Sequence, residues 1–166
     1  MTEAELAIVR RAYAKQIMLP FNAAHPRAEV AFAAVRREHF LGPAPWPLLH
    51  IGRGYRPTPD DDPVYLYQDL LVGIIPERGL NNGRPSFHAM LIARSDARRG
   101  EHVLHIGAGV GYYTAILEHM VGDTGRLTAI EYDAGLAERL KANFAGKPNV
   151  CALEGDGTRI DFGPTD

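Results

Sequence analysis

The stretch "EHVLHIGAGVGYYTA", residues 101–115, decides the fold. It opens on a short apolar run, "HVLHI" (102–106), of strand length. It then meets glycines at 107, 109 and 111 and continues into "GYYTAILEHMVG" (111–122), which reads as a helix. Glycine permits φ > 0 and lets a ligand touch the backbone, and a helix N-terminus offers unpaired N–H groups. The alternation continues downstream. "GRLTAIEYD" (125–133) holds a strand ending near Glu131. "AGLAERLKANFAG" (134–146) is a helix with Leu136, Leu140 and Phe144 on one stripe, and "NVCALEGDG" (149–157) is a third strand. Strand, helix, strand, helix, strand specifies a right-handed parallel α/β unit.

In an open parallel sheet, ligands sit beyond the carboxyl ends of the strands, where this glycine turn lies. Dinucleotide folds use the spacing G-x-G-x-x-G. Here Tyr112 stands at the place of that third glycine, which argues against that packing. Taken singly, each feature has a plain structural reading. The glycines can form a tight turn with no ligand. Glu131, which can accept both hydroxyls of a ribose, can also be a solvated strand-end charge. Asp156, which can accept from an adenine amino group, can be a turn-forming Asp-Gly. Three such features at successive strand ends together favour a nucleoside ligand.

Composition narrows the class. The chain has 166 residues, 46% hydrophobic, with a formal net charge of -2, enough for a globular core and with no general attraction to nucleic acid or anionic membrane. Cys151 is the single cysteine, so no intrachain disulfide exists, and its apolar neighbourhood reads as core. The N-terminus is acidic and amphipathic, unlike a signal peptide, and no run approaches the roughly 20 apolar residues of a membrane span. A cytoplasmic protein is expected. The histidines show no metal spacing: His102 and His105 are three apart on a strand and point to opposite faces. "DDDP" (60–63) reads as a solvated turn.

Upstream of the α/β unit the pattern is mixed. Leu6, Val9, Ala12, Tyr13, Gln16 and Ile17 follow a 3.6 period. Pro26 suits a first helical turn, with Val30, Ala33, Ala34 and Arg37 on repeating faces. Residues 41–63, rich in proline and glycine, read as an ordered irregular arm in which Trp46, Leu48, Leu49, Ile51 and Tyr55 seek burial. "RPSFHAMLIARSDARRG" reads as a helix with Pro85 near its start and Gly100 past its end. Two regions are expected: residues 1–100, helical and irregular, and 101–166, α/β.

Several segments together resemble the protein-L-isoaspartate O-methyltransferase family of class I S-adenosylmethionine-dependent methyltransferases. They are "VRREHF" (35–40), "YQD" (67–69), "NGRPSFHAM" (82–90), "VLHIGAGVGYYTAIL" (103–117), "GRLTAIEYD" and "NVCALEGDG". The resemblance implies a Rossmann-like fold, S-adenosyl-L-methionine as cofactor, and methyl transfer to an oxygen of a protein, peptide or small-molecule acceptor. It assigns the cofactor to His88, His105, Ile106, Gly107, Ala108, Gly109, Gly111, Tyr112, Glu131, Tyr132, Asp156 and Gly157, with Glu131 on the ribose, Tyr132 beside the adenine, and Asp156 and Gly157 at the adenine edge. No metal, nucleic-acid or membrane partner is implied.

Two departures from the family pattern stand out. Gly83 occupies the place of the family's serine near the accepting carboxylate, so no catalytic residue is assigned. His105 occupies the place of an acid that helps hold the cofactor's ammonium group. Ser86 reads as a helix-start residue. The family's sheet has seven strands in the order 3-2-1-4-5-7-6, and this chain is expected to supply three, as a truncated first half. The uncovered edge of the first strand would then invite self-association. A non-catalytic cofactor- or partner-binding relative is the alternative reading, and an NAD(P)-dependent reductase a further one.

Overall fold

The computed structural model describes all residues from 1 to 166. The chain divides into two compact units, Met1–Arg94 and Ser95–Asp166, and no helix is long and apolar enough to cross a membrane.

The first unit begins with α1 (Glu3–Ile17) and α2 (Pro26–Ala34). A capping box starts α1: the Thr2 hydroxyl accepts from the Glu5 N–H, and the Glu5 carboxylate accepts from the Thr2 N–H, satisfying donors the helix leaves unpaired. Its buried face is Leu6, Arg10, Tyr13, Ala14 and Ile17. Periodicity placed Leu6, Tyr13 and Ile17 there, but Ala12 and Gln16 are exposed. Arg10 takes an inner place because its guanidinium meets the Ala33 carbonyl and Glu3. On α2 the inward residues are Ala28, Ala31 and Phe32, not the stripe begun by Val30, which is exposed. His25 caps α2, its Nδ1 accepting from the Ala28 N–H at 3.1 Å.

The proline-rich arm folds into a hairpin of β1 (Pro47–His50) and β2 (Gly54–Pro57), paired from Pro47↔Pro57 to His50↔Gly54. Its prolines stand at strand ends, where a missing N–H costs the ladder little. Trp46 and Leu48 join Leu41, Leu66 and Val72 in one core cluster. Ile51 does not follow them: at the hairpin tip it is 99% exposed. Next come β3 (Gly73–Ile75), β4 (Leu80–Asn81) and α3 (Pro85–Ser95), with β3 and β4 antiparallel. Helix α3 ends before Gly100 because Asp96 takes φ +48°, left-handed backbone that closes a helix.

The second unit is β5 (His102–Ile106), α4 (Tyr112–Val121), β6 (Arg126–Glu131), α5 (Ala134–Phe144) and β7 (Val150–Glu154). The strands form a parallel sheet in the order β5-β6-β7. Central β6 is buried from Leu127 to Glu131, and α5 packs Leu136, Ala137, Leu140 and Phe144 inward, with Asp133 as its cap. Cys151, expected in the core, is exposed. It lies on edge strand β7 in register with Thr128. That register puts it on the sheet face opposite the one where His105 meets α4 and where Val150 and Ala152 face α5. His102 and His105 do point to opposite faces: His102 Nε2 lies 2.9 Å from Thr128 Oγ1 and His105 Nδ1 lies 2.9 Å from Thr114 Oγ1. The C-terminal residues lie along the start of β5, where the Asp166 N–H donates to the His102 carbonyl and His102 Nδ1 donates to the Pro164 carbonyl.

Candidate functional site

In the second unit the turn between β5 and α4 is held from both sides. The N–H groups of Gly107 and Ala108 donate to the Ile130 carbonyl at 2.9 and 3.0 Å. Glu131, 8% exposed, spans two turns: Oε2 accepts from the Gly109 N–H at 2.7 Å and Oε1 from the Asp133 N–H at 2.9 Å. One carboxylate therefore fixes the turn after β5 to the turn after β6. Each of its oxygens retains acceptor capacity for a hydroxyl.

The glycines divide by role. All take positive φ: +74° at Gly107, +57° at Gly109 and +98° at Gly111. A Cβ at Gly107 or Gly109 would meet no atom within 4 Å, whereas at Gly111 it would lie 2.5 Å from Phe144 Cε2 and 2.8 Å from Leu140 Cδ1. The first two leave open space over the turn, and the third allows α5 to approach. Tyr112 is buried, its ring centroid 4.9 Å from that of Tyr113, which explains how a bulky residue fits the third-glycine place: it joins the core. Ala108 is buried as well.

Around the turn, Ile106 and Tyr132 are exposed, the latter by 78%. Gly157 packs against Ile106, where a Cβ would lie 2.7 Å from Ile106 Cγ2. Asp156 makes a turn: Oδ1 accepts from the Thr158 hydroxyl at 2.7 Å and N–H at 2.9 Å. Those bonds hold its carboxyl below the usual range. His105 is turned toward α4, its Nδ1 on the fully buried Thr114.

The first unit carries the other candidate segment. Gly83 takes φ +73°, and a Cβ there would overlap His88 Nε2, so the imidazole fills the space a side chain at 83 would need. Burial, and then the charge of Arg37, push the His88 imidazole down to about 4, leaving it neutral at pH 7. Ser86 is fully buried at the start of α3. Its N–H and hydroxyl donate to the two Asp69 oxygens at 2.8 and 2.7 Å, and Arg84 Nε donates at 2.9 Å. Burial pulls Asp69 upward, but these donors outweigh it and hold the carboxyl below its ordinary value. The reading of Ser86 as a helix-start residue stands. What sequence reasoning missed is the partner: the Asp of "YQD" serves a helix 17 residues on, and no local spacing signals that. No group of three or more His, Cys, Asp or Glu side chains gathers at one point.

The family model described as Protein-L-isoaspartate(D-aspartate) O-methyltransferase (PCMT) matches residues 59–160. Protein-L-isoaspartate O-methyltransferase 2 of Archaeoglobus fulgidus is 38% identical over 77 residues, 45% of this chain and 35% of that protein. The chain thus matches about a third of the length of this curated relative. A solved protein-L-isoaspartate O-methyltransferase superposes over 94% of this chain and 46% of its own, with TM-score 0.71 and 25% identity. The Plasmodium falciparum protein of that name, solved in complex with S-adenosyl-L-homocysteine, shares the fold, with TM-score 0.61, 12% identity, and 92% and 66% of the two chains covered. With residues 59–160, more than half of the chain, matched by one family model and the fold shared beyond it, the chain belongs to the protein-L-isoaspartate O-methyltransferase family.

Proposed function

We propose that the chain serves an S-adenosyl-L-methionine-dependent O-methyltransferase, with the cofactor at the glycine turn of the second unit. The observation that carries this reading is the pairing of an open glycine turn with a buried carboxylate. At Gly107 and Gly109 the space a Cβ would take is open, with no atom within 4 Å, and Glu131 is fixed beside them with acceptor capacity left for a diol. Those residues fit the adenosyl part of the cofactor. At the amino-acid end the fit is different, because His105 stands where the family has an acid and is bonded toward α4.

When bound, the cofactor supplies a sulfonium methyl group already activated for in-line transfer. The chain's task is alignment. Glu131 holds the ribose hydroxyls, Tyr132 lies beside the adenine, and Asp156 and Gly157 meet its edge. Gly107, Ala108, Gly109 and Gly111 line the turn, with His105, Ile106 and Tyr112 in the same strand, turn and helix. His88 is the residue of the first unit assigned to the same ligand. A carboxylate acceptor needs no base, being ionised near pH 7. The expected acceptor is a protein or peptide carboxylate or another oxygen. The reading also includes a cytoplasmic protein with no nucleic-acid or membrane partner, and self-association through the outer edge of β5 beyond His102, whose own N–H and carbonyl are bonded to Asp166.

One observation favours a second reading, in which the chain binds cofactor or partner without turnover. His88 fills the space beside Gly83 that the family's serine would use. Methyl transfer from labelled S-adenosyl-L-methionine to an isoaspartyl peptide and to its aspartyl counterpart separates the two. Labelled isoaspartyl peptide supports the enzyme. Binding of S-adenosylhomocysteine with no labelling of any oxygen acceptor supports the second reading. Binding of NADH instead overturns both.

A further inference from the structure

Three of the segments that mark this chain as a family member converge on one side chain. Arg37, from "VRREHF", is fully buried. Its Nη1 donates to the carbonyls of Leu66 at 2.6 Å and Gln68 at 3.2 Å, on either side of Tyr67 in "YQD". Its Nη2 donates to the Leu70 carbonyl at 2.9 Å and to Asn82 Oδ1 at 2.9 Å, at the head of "NGRPSFHAM". Those four acceptors are carbonyl or amide oxygens 29 to 45 residues away in sequence. A planar guanidinium with five N–H donors suits such a set, and a lysine ammonium does not.

The orientation of Asn82 shows which partner dominates. Its Oδ1 accepts from Arg37 and from the Val72 N–H at 3.2 Å, while its Nδ2 is buried with no hydrogen-bond partner. Turning the amide over would satisfy nothing and would aim NH2 at two donors. An orphaned buried donor is costly, so the two donors, Arg37 among them, dictate the amide's orientation. Next in the chain is Gly83, whose φ of +73° and lack of Cβ admit the His88 ring. Asp69, in the loop that Arg37 grips, holds the other flank of the segment through Ser86.

We propose that Arg37 is a positioning residue for the methyl-acceptor side: it clamps the 66–70 loop to Asn82 and so fixes the Gly83–His88 pair. This rests on the reading that the 82–90 segment serves the acceptor. The clamp has two separable components, the donor fork and the positive charge. Arg37→Lys keeps the charge and loses the fork. Arg37→Gln loses both.

The test is hydrogen exchange and histidine titration by NMR on the 166-residue chain. Probes are the Val72 and Asn82 amides, which bond to Asn82 Oδ1 and the Val72 carbonyl. Both variants should speed their exchange at least tenfold. Arg37→Gln should also raise the His88 midpoint above about 4, with burial, the larger cause, still holding it below the ordinary histidine range, and Arg37→Lys should leave it low. In methyl-transfer assays Arg37→Lys should raise the acceptor KM at least threefold. Should Arg37→Gln fail to fold, Asn82→Ala in its place should speed Val72 exchange tenfold, and the wild-type Arg37 guanidinium protons should exchange far more slowly than those of a free arginine. Unprotected guanidinium protons, or unchanged exchange of the Val72 and Asn82 amides in the folded Arg37 variants, overturn the clamp. Absence of S-adenosylhomocysteine binding by the wild type overturns the functional reading instead and leaves the exchange results to judge the clamp.

Discussion

The two units are stabilised differently. Residues 95–166 are a regular β-α-β-α-β unit whose apolar core residues, Leu127, Ala129, Ile130, Leu136, Leu140 and Phe144, are all buried, and whose buried polar residues, Thr114, Glu118, Thr128 and Glu131, stand on those same regular elements. Residues 1–94 bury Arg10, Arg37, Thr58, Asn82 and Ser86, and these polar groups hold short strands, turns and helix starts in place. The glycines differ in the same way. In the second unit Gly111 admits two apolar side chains, Phe144 and Leu140, and in the first Gly83 admits an imidazole. A periodic unit can be read from its sequence and altered one contact at a time. A unit fixed by buried polar side chains carries more risk at each of them, because removing one partner strands the others.

The largest effect should come from Arg37. Arg37→Met should destabilise the chain by about 3–5 kcal/mol, because four acceptors, at Leu66, Gln68, Leu70 and Asn82, each lose a donor, two of them in buried bonds, read as a fall in the thermal midpoint. A loss under 1 kcal/mol would mean water enters freely and the first unit is no more polar in its needs than the second. Next is Gly111→Ala, where a Cβ at 2.5 Å from Phe144 and a φ of +98° combine. Overpacking and backbone strain together should cost about 2–4 kcal/mol. Gly107→Ala, with φ +74° but no atom within 4 Å, should cost only about 1 kcal/mol while weakening S-adenosylhomocysteine binding. Equal stability losses at 107 and 111 would erase the division between an open glycine and a packing glycine.

A pH scan sharpens the contrast further. His88 is held neutral in the folded chain, with its titration lowered to about 4, while the unfolded imidazole takes up its proton near the ordinary value of about 6.5. Between those values the unfolded state binds more protons, so stability should fall as pH drops from 6.5 to 4, by no more than about 3 kcal/mol. His88→Leu should flatten that slope. Asp69 acts lower down: its depressed carboxyl stabilises the fold above its unfolded value, and that contribution is lost as pH falls through the folded one. The smallest effect is expected at Ile51→Ser, within about 0.5 kcal/mol, since the side chain is 99% exposed.

How much the sequence disclosed follows the same division. The strand at 102–106 and the strand ending at Glu131 were legible as short apolar runs between turn signals, and the Leu136, Leu140 and Phe144 stripe because its burial repeats near 3.6. Cys151 was misplaced because an apolar neighbourhood does not tell an edge strand from a central one. The β1–β2 hairpin was illegible because its prolines look like breakers until both stand at strand ends, Pro47 opposite Pro57. Ile51 was misjudged for the reason that a hairpin tip exposes whatever occupies it. Asp69, Asn82 and Arg37 act over 10 to 45 residues of separation, which no window of periodicity spans. At the candidate site the glycines and Glu131 were visible as types at strand ends. That Glu131 already holds the Gly109 and Asp133 amides was not.

Calorimetric titration of the chain and its Glu131→Ala variant with S-adenosylhomocysteine tests the central claim most directly. Saturable binding by the wild type, weakened at least tenfold in the variant, is the expected result, since the substitution removes both the ribose acceptors and the bonds to Gly109 and Asp133. Equal affinity of the two proteins would place the ligand elsewhere, and no binding by the wild type would contradict a cofactor site at this turn.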